Sequence, residues 1–595
     1  MKRIYPLLVG LLLAWGQPAQ AAPLPGASAG LEHIPARAPL VLHLRGIEGV
    51  KGRALALVKN ALPDLAPLAK RGLDSMVESA FQGRKLQGLK KDGPLFLVFL
   101  DMPKPGHQPT MAFLWAVDDY KTFRDGFLTE DERKGLKLIG EGIEKTRVLG
   151  EDGYFLDHKG FAVMSPTREG VEPFTKKFAG LNTRISRTQA DKLLQGDMGL
   201  YLSMDVFNKE YATQIKEARR GVEEALKEAE KGMGKAERQF LELARQAVGP
   251  IFQAVEDSQG ILLTAEFRPE GLALHAETEL RAGTPTARLL KDFKPVAFNQ
   301  LARLPAGQTY YIGVQSPKEL LDALGPLLFG GVSEPEGKEA RNIQAAIKKL
   351  IQAGPGVRVD SMSLPPTGLQ VWQFEDPAKA VEAQLELMGS LGAGGTIQTG
   401  ILKEKPIIKK RAATQGGFTF HQVKMTWDLE RMAEQSAGGV PVPDEVKKEM
   451  VQVLKKYLGE EANLWFGSNG KVYVQLSARN WEEAKAMLES YQKGTNQVGD
   501  QAAFQRARKE LPAETTMLAL VDLVRYLGAV VDVIKPLLGG LVPIPPGIPD
   551  VAKAKPSYMG ISATLEPRGG SFDIVVTTDT IREFYKAVIA PLRAF

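Results

Sequence analysis

One segment of this chain is written twice. Gly260, Ile261, Thr264, Glu266, Arg268, Leu272, Leu274 and Thr278 align without a gap on Gly560, Ile561, Thr564, Glu566, Arg568, Phe572, Ile574 and Thr578. Repetition constrains a fold more than composition does, because like sequences build like units that must then pack against one another. In both copies apolar residues alternate with polar ones, and a glycine-containing turn (Pro269-Glu270-Gly271; Arg568-Gly569-Gly570) parts two runs of hairpin length. Alternation at period two is the signature of antiparallel strands. Each copy is therefore predicted to be a β-hairpin, and helical pattern follows at 284–290 and 580–588.

Other segments repeat the same plan. Leu31-Glu32-His33-Ile34-Pro35-Ala36 opens onto the apolar run 40–44, Leu301-Ala302-Arg303-Leu304-Pro305-Ala306 opens onto 310–314, and Leu511-Pro512-Ala513 precedes 517–520. Two further strand pairs, 95–100 with 111–117 and 357–364 with 369–374, end at Asp118-Asp119 and Asp376-Pro377. Aspartate suits a helix N-cap and proline the first helical position. Trp115 and Trp372 fall at equivalent places in these pairs. Four segments, 38–128, 198–292, 305–391 and 513–593, thus read strand, helical stretch, hairpin, helix. An extra hairpin and helix follow the first and third, at 154–178 with a turn at His158-Lys159-Gly160 and at 464–491 with a turn at Ser468-Asn469-Gly470.

The predicted fold class is α+β, internally duplicated, with four βαββα-like modules built from antiparallel hairpins and long helices. The expected organisation is a signal peptide at 1–21, a flexible lead-in at 22–30, module 1 with its extra hairpin and helix at 31–185, module 2 with a long helical stretch at 186–297, module 3 with its extra hairpin and helix at 298–497, and module 4 at 498–595. Laid side by side, the Pro-Ala openings and the Gly-Ile-x-x-Thr hairpins resemble a group of large exported bacterial envelope proteins of unknown function built from repeated α/β modules. The resemblance covers most of the chain after the leader and has no specific motif. It carries over no functional residue and implies only an envelope location.

The leader has its own logic. Lys2 and Arg3 form a positive n-region, 4–15 an apolar run and Ala19-Gln20-Ala21 a small-x-small site, so cleavage is expected near Ala21. The run is shorter than the roughly 20 residues a membrane span needs. A periplasmic or secreted protein is the expectation, with no transmembrane span after cleavage.

Composition removes several chemistries. The chain of 595 residues has no cysteine, which excludes thiol nucleophiles, cysteine zinc sites, iron–sulfur clusters, disulfides and a lipidated cysteine. A net charge of +6 at this size is no dense basic stripe, so nucleic acid is not an expected partner. Of the six histidines, His33, His43, His107, His158, His275 and His421, no two have helical ligand spacing. The Gly-x-Ser-x-Gly elbow is absent, and Gly467-Ser468-Asn469-Gly470 reads as a hairpin turn. Gly330-Gly331 to Gly337-Lys338-Glu339 has the wrong spacing for a phosphate loop, and Glu339 stands where a magnesium-holding hydroxyl would be needed. Gly392-Ala393-Gly394-Gly395 follows a helix and reads as its stop. The cluster Lys403, Lys405, Lys409, Lys410 and Arg411 reads as a solvated strand edge, with an anionic envelope component as the competing partner. No catalytic residue, metal ligand or cofactor is assigned.

The helical stretches differ between modules. Residues 208–255 carry one apolar stripe and a charged back, with Gly232 and Gly234 placed to split them. The stretch 521–541 is far more apolar, although Pro536 and four charges argue against a membrane span. Its residues Leu523, Leu527, Val530 and Ile534 share one helical face and are the candidate ligand-binding residues. The functional expectation is an exported non-enzymatic binding or scaffolding protein of the bacterial envelope with an apolar or lipid-like ligand. The competing class is a periplasmic hydrolase whose site is assembled only in three dimensions.

Overall fold

The computed structural model describes residues 30–102, 108–232, 245, 248–316, 338–363, 366–397, 400–436, 443–528 and 554–590. The leader, the lead-in before Gly30, His107, Gly234, the Gly330–Gly337 segment, Val530 and Ile534 lie outside the described residues. The protein is mixed α+β with a large antiparallel sheet.

Its strands in chain order are β1 (Leu40–Leu44), β2 (Leu95–Phe99), β3 (Met111–Ala116), β4 (Lys137–Leu138), β5 (Glu144–Val148), β6 (Glu151–His158), β7 (Phe161–Ser165), β8 (Met198–Ser203), β9 (Ser258–Arg268) and β10 (Gly271–Leu280). There follow β11 (Tyr310–Gln315), β12 (Pro355–Ser363), β13 (Thr367–Phe374), β14 (Thr396–Ile397), β15 (Gly400–Ile401) and β16 (Ile407–Gln415). The last six are β17 (Phe418–Thr426), β18 (Glu461–Ser468), β19 (Tyr473–Ala478), β20 (Met517–Asp522), β21 (Tyr558–Glu566) and β22 (Gly569–Thr577). Two compact units result, unit 1 from Met1–Arg219, Phe252–Arg288 and Arg568–Thr578, and unit 2 from Arg220–Ile251, Leu289–Pro567 and Asp579–Phe595.

In unit 1 the strands pair antiparallel in the order β4-β5-β6-β7-β3-β2-β1-β8-β9-β10-β22. One face of this sheet is a closed core. Val41, Phe96, Val98, Leu114, Tyr201 and Leu262 are buried there against Leu31, Ile34, Leu181, Ala190 and Leu193. On the other face Trp115, Leu95, Phe155 and Ala162 pack under Phe81, Phe123 and Phe127. The helix Tyr120–Phe127 that brings the last two starts where the sequence expected it, with the Asp119 side chain accepting from Thr122 N at 2.7 Å.

Unit 2 pairs in the order β16-β17-β18-β19-β13-β12-β11-β20-β21, with β14 and β15 a separate pair. Here β11 lies between β12 and β20 as β1 lies between β2 and β8, and β13 lies between β12 and β19 as β3 lies between β2 and β7. Trp115 is on β3 and Trp372 on β13. Its core includes Phe374, Val423, Phe466 and Tyr473. Asp376 caps the helix Pro377–Gly389 by accepting from Lys379 N at 3.0 Å. β16, which carries Lys409, Lys410 and Arg411, is mostly exposed and has a register break between Lys409 and Ala413, two devices that blunt a sheet edge.

Two boundaries differ from the sequence reading. β20 runs to Asp522, so the helix expected over 521–541 begins at 523; a continuous apolar run does not mark where strand gives way to helix. The turn after β21 lies at Pro567 and Arg568, because Gly569 and Gly570 already belong to β22. Gly260 consequently faces Ser203, the last residue of β8, whereas Gly560 faces Leu520, two before the end of β20. An even slip of this kind keeps each side chain on its own face of the sheet.

Candidate functional site

Between β3 and β22 unit 1 presents two rows of apolar side chains on one face. The first row is Phe113, Leu97, Leu42, Leu200, Leu263, Ala276 and Phe572; the second is Trp115, Leu95, Leu44, Met198, Ala265, Leu274 and Ile574. Each residue is paired directly across from the next, so the rows cross the strands over roughly 30 Å at about 4.8 Å per strand. Local sequence explains them: β1 (LVLHL) and β2 (LFLVF) carry apolar side chains at successive positions, so neither face of the sheet is polar. An antiparallel sheet with one solvated face would alternate instead.

The rows wall a cavity of about 500 Å³. At the β3 end they run beneath Phe81 and Phe127, whereas Leu263 is 44% exposed and Phe572 41% exposed. Contiguous wet apolar surface costs about 25 cal/mol per Å² and is uncommon beyond a few hundred Å² on a monomer. A cavity of this size and lining matches what small apolar ligands occupy.

Behind Leu274 and Ala276, on the opposite face, His275 holds a charged cluster. Its Nδ1 lies 2.7 Å from Asp573 Oδ1, and its Nε2 lies 3.2 Å from both Glu277 Oε2 and Lys192 Nζ. Lys192 also donates to Glu277. Burial lowers the His275 pKa, but hydrogen bonds to Asp573 and Glu277 outweigh it and the net shift is upward. Both ring nitrogens are engaged by Asp573, Glu277 and Lys192 and no hydroxyl is a partner in these contacts, so the arrangement ties β10 to β22.

His33, His43 and His158 pack against other rings. His43 is buried on β1 and burial pushes it down to about 3, which keeps it neutral. His158 ends β6 before a turn in which Lys159 and Gly160 have positive φ, and its ring meets His33 at 5.4 Å. Burial lowers His158 to about 4. Among the described residues no group of three or more histidines and carboxylates is placed to hold a metal ion, and no helix is long and apolar enough to cross a membrane.

Of the sequence-derived ligand residues, Leu523 and Leu527 are described. Leu523 and Leu527 are half-buried in unit 2, on the first turns after β20, and neither lines the unit 1 cavity. The residues that do line it sit on strands, and the signal for them was the absence of alternation in β1 and β2.

Fold and site together define a mixed α+β chain with an apolar cavity on one sheet face and a charge cluster behind it. No protein-family model matches the chain, and no curated protein or solved structure matches it significantly.

Proposed function

We propose that this is an exported, non-enzymatic binding protein of the bacterial envelope that takes an apolar ligand on the open sheet face of unit 1. The observation that carries the reading is the double row of apolar side chains walling a cavity of about 500 Å³ while Leu263 and Phe572 stay largely exposed. Export rests on the leader sequence, Lys2-Arg3 through Ala21. An internally duplicated design of four βαββα-like modules is part of the same reading. The matching neighbours of β1 and β11, and of β3 and β13, support it, as do the hairpin repeats in the sequence.

The test is uptake of the neutral dye N-phenyl-1-naphthylamine, followed by fluorescence. Wild-type protein should enhance the dye, and Leu263→Asp, at a half-exposed position, should abolish the enhancement with circular dichroism unchanged. Undiminished uptake by the folded variant would refute the assignment.

A further inference from the structure

The main cavity has a neighbour at β3. Phe113 and Trp115 also wall a second, mostly apolar cavity of about 100 Å³, reached between Phe81, Phe127 and Phe155. That cavity in turn shares Gln82, Arg84 and Phe127 with a third one of about 570 Å³. The third is chemically different. It lies between the 82–88 loop and the helix Tyr120–Phe127, and Arg84, Lys85, Lys121 and Arg133 line it with Asp125 and Glu130.

The carboxylates there are already engaged. Asp125 pairs with Arg124 at 2.7 Å and Glu130 with Lys134 at 2.9 Å. Arg84 is held by Glu132 through two hydrogen bonds of 2.7 and 2.8 Å and lies 5.0 Å over the Phe127 ring, and the two residues line both the apolar and the polar cavity. Lys85 and Lys121 are exposed and form no ion pair among the described residues. The polar cavity therefore presents an excess of positive charge beside the small apolar cavity, which in turn shares Phe113 and Trp115 with the main one.

We infer that the ligand is an amphiphile with an anionic head, a carboxylate or phosphate at Lys85 and Lys121, and an acyl chain that passes Phe127 and Trp115 onto the double row of the sheet face. This rests on the apolar-ligand reading above and adds the head group. Charge complementarity selects the head, since an anion gains charge-assisted hydrogen bonds from the two ammonium groups. A cationic head would be repelled, and a neutral one would gain neither bond.

The test is isothermal titration of the full chain with dodecyl phosphate, dodecyltrimethylammonium and inorganic phosphate. Dodecyl phosphate should bind tightest of the three. Lys85→Glu with Lys121→Glu, both surface changes, should weaken it by about tenfold or more and leave N-phenyl-1-naphthylamine uptake unchanged. Inorganic phosphate binding as tightly as dodecyl phosphate would overturn the tail's placement. Equal affinity for the phosphate and ammonium amphiphiles, or full dodecyl phosphate affinity in the lysine variant, would overturn the head site. Failure of the wild type to take up the neutral dye overturns the cavity reading instead, so the two failures are told apart.

Discussion

His275 and Asp573 lie 298 residues apart in the chain and share a hydrogen bond of 2.7 Å across neighbouring strands. The pair fastens β22, a strand from the C-terminal end of the sequence, to β10 of unit 1, and Glu277 and Lys192 close the cluster on the other side of the ring.

Because the His275 pKa is raised in the folded protein, protonation stabilises the fold. That contribution is fully present below the ordinary histidine value of 6.5 and is lost as pH rises through the higher folded value. Urea denaturation of wild type and His275→Asn across this range should show their stability difference shrinking toward alkaline pH, a comparison in which the opposite contributions of the low-pKa His43 and His158 cancel. A stability difference that does not change with pH would remove the cluster from the account.

A strand glycine and a helix glycine should respond to alanine with opposite signs. Gly271 faces Thr577 and Gly569 faces Glu279, and a Cβ on either would collide with a carbonyl oxygen of the opposing strand, Val576 O or Thr278 O. Gly271→Ala should destabilise unit 1 by about 1–3 kcal/mol, the usual range for overpacking. Gly52, within the helix Ile47–Ala61, has open space where its Cβ would be, and Gly52→Ala should stabilise by about 0.5–1 kcal/mol. Thermal melts of the two variants should move in opposite directions.

Leu262 and Leu263 are neighbours in β9 on opposite faces of the sheet. Leu262 is 0% exposed in the closed core and Leu263 is 44% exposed on the apolar row. Leu262→Ala should cost about 2–5 kcal/mol as a core cavity, and Leu263→Ala less than about 1 kcal/mol. Equal losses in chemical denaturation would mean that the second face is as tightly packed as the first.

Export makes a separate prediction. Protein recovered from the envelope should begin just after Ala21, as the Ala19-Gln20-Ala21 site implies. Finding Met1 by N-terminal sequencing would show that the leader is retained.

The features legible in the sequence are those whose physics is local. Alternation in 258–280 marks a hairpin because successive side chains on a strand point to opposite faces, and the structure has β9 and β10 there. Asp119 and Asp376 were readable as caps because the side chain bonds to an amide three residues on. The turns after His158 and Ser468 followed from glycine's tolerance of positive φ, which Gly160 and Gly470 adopt. The candidate site was not readable in this way. Leu523 and Leu527 stood out because the sequence 521–541 is unusually apolar, whereas each cavity row draws one residue from each of seven strands, where each is just one more apolar residue.

By itself, then, the amino-acid sequence determined the hairpin over 258–280, the caps and turns, and the lack of cysteine chemistry, since each depends on residue type and near neighbours. Tertiary structure alone decided which apolar face is closed and which is open, that Lys85 and Lys121 share one cavity, and that Asp573 meets His275. Strand pairing between distant segments made those choices. It is set by the packing of all the strands together, and no local stretch of sequence carries that information.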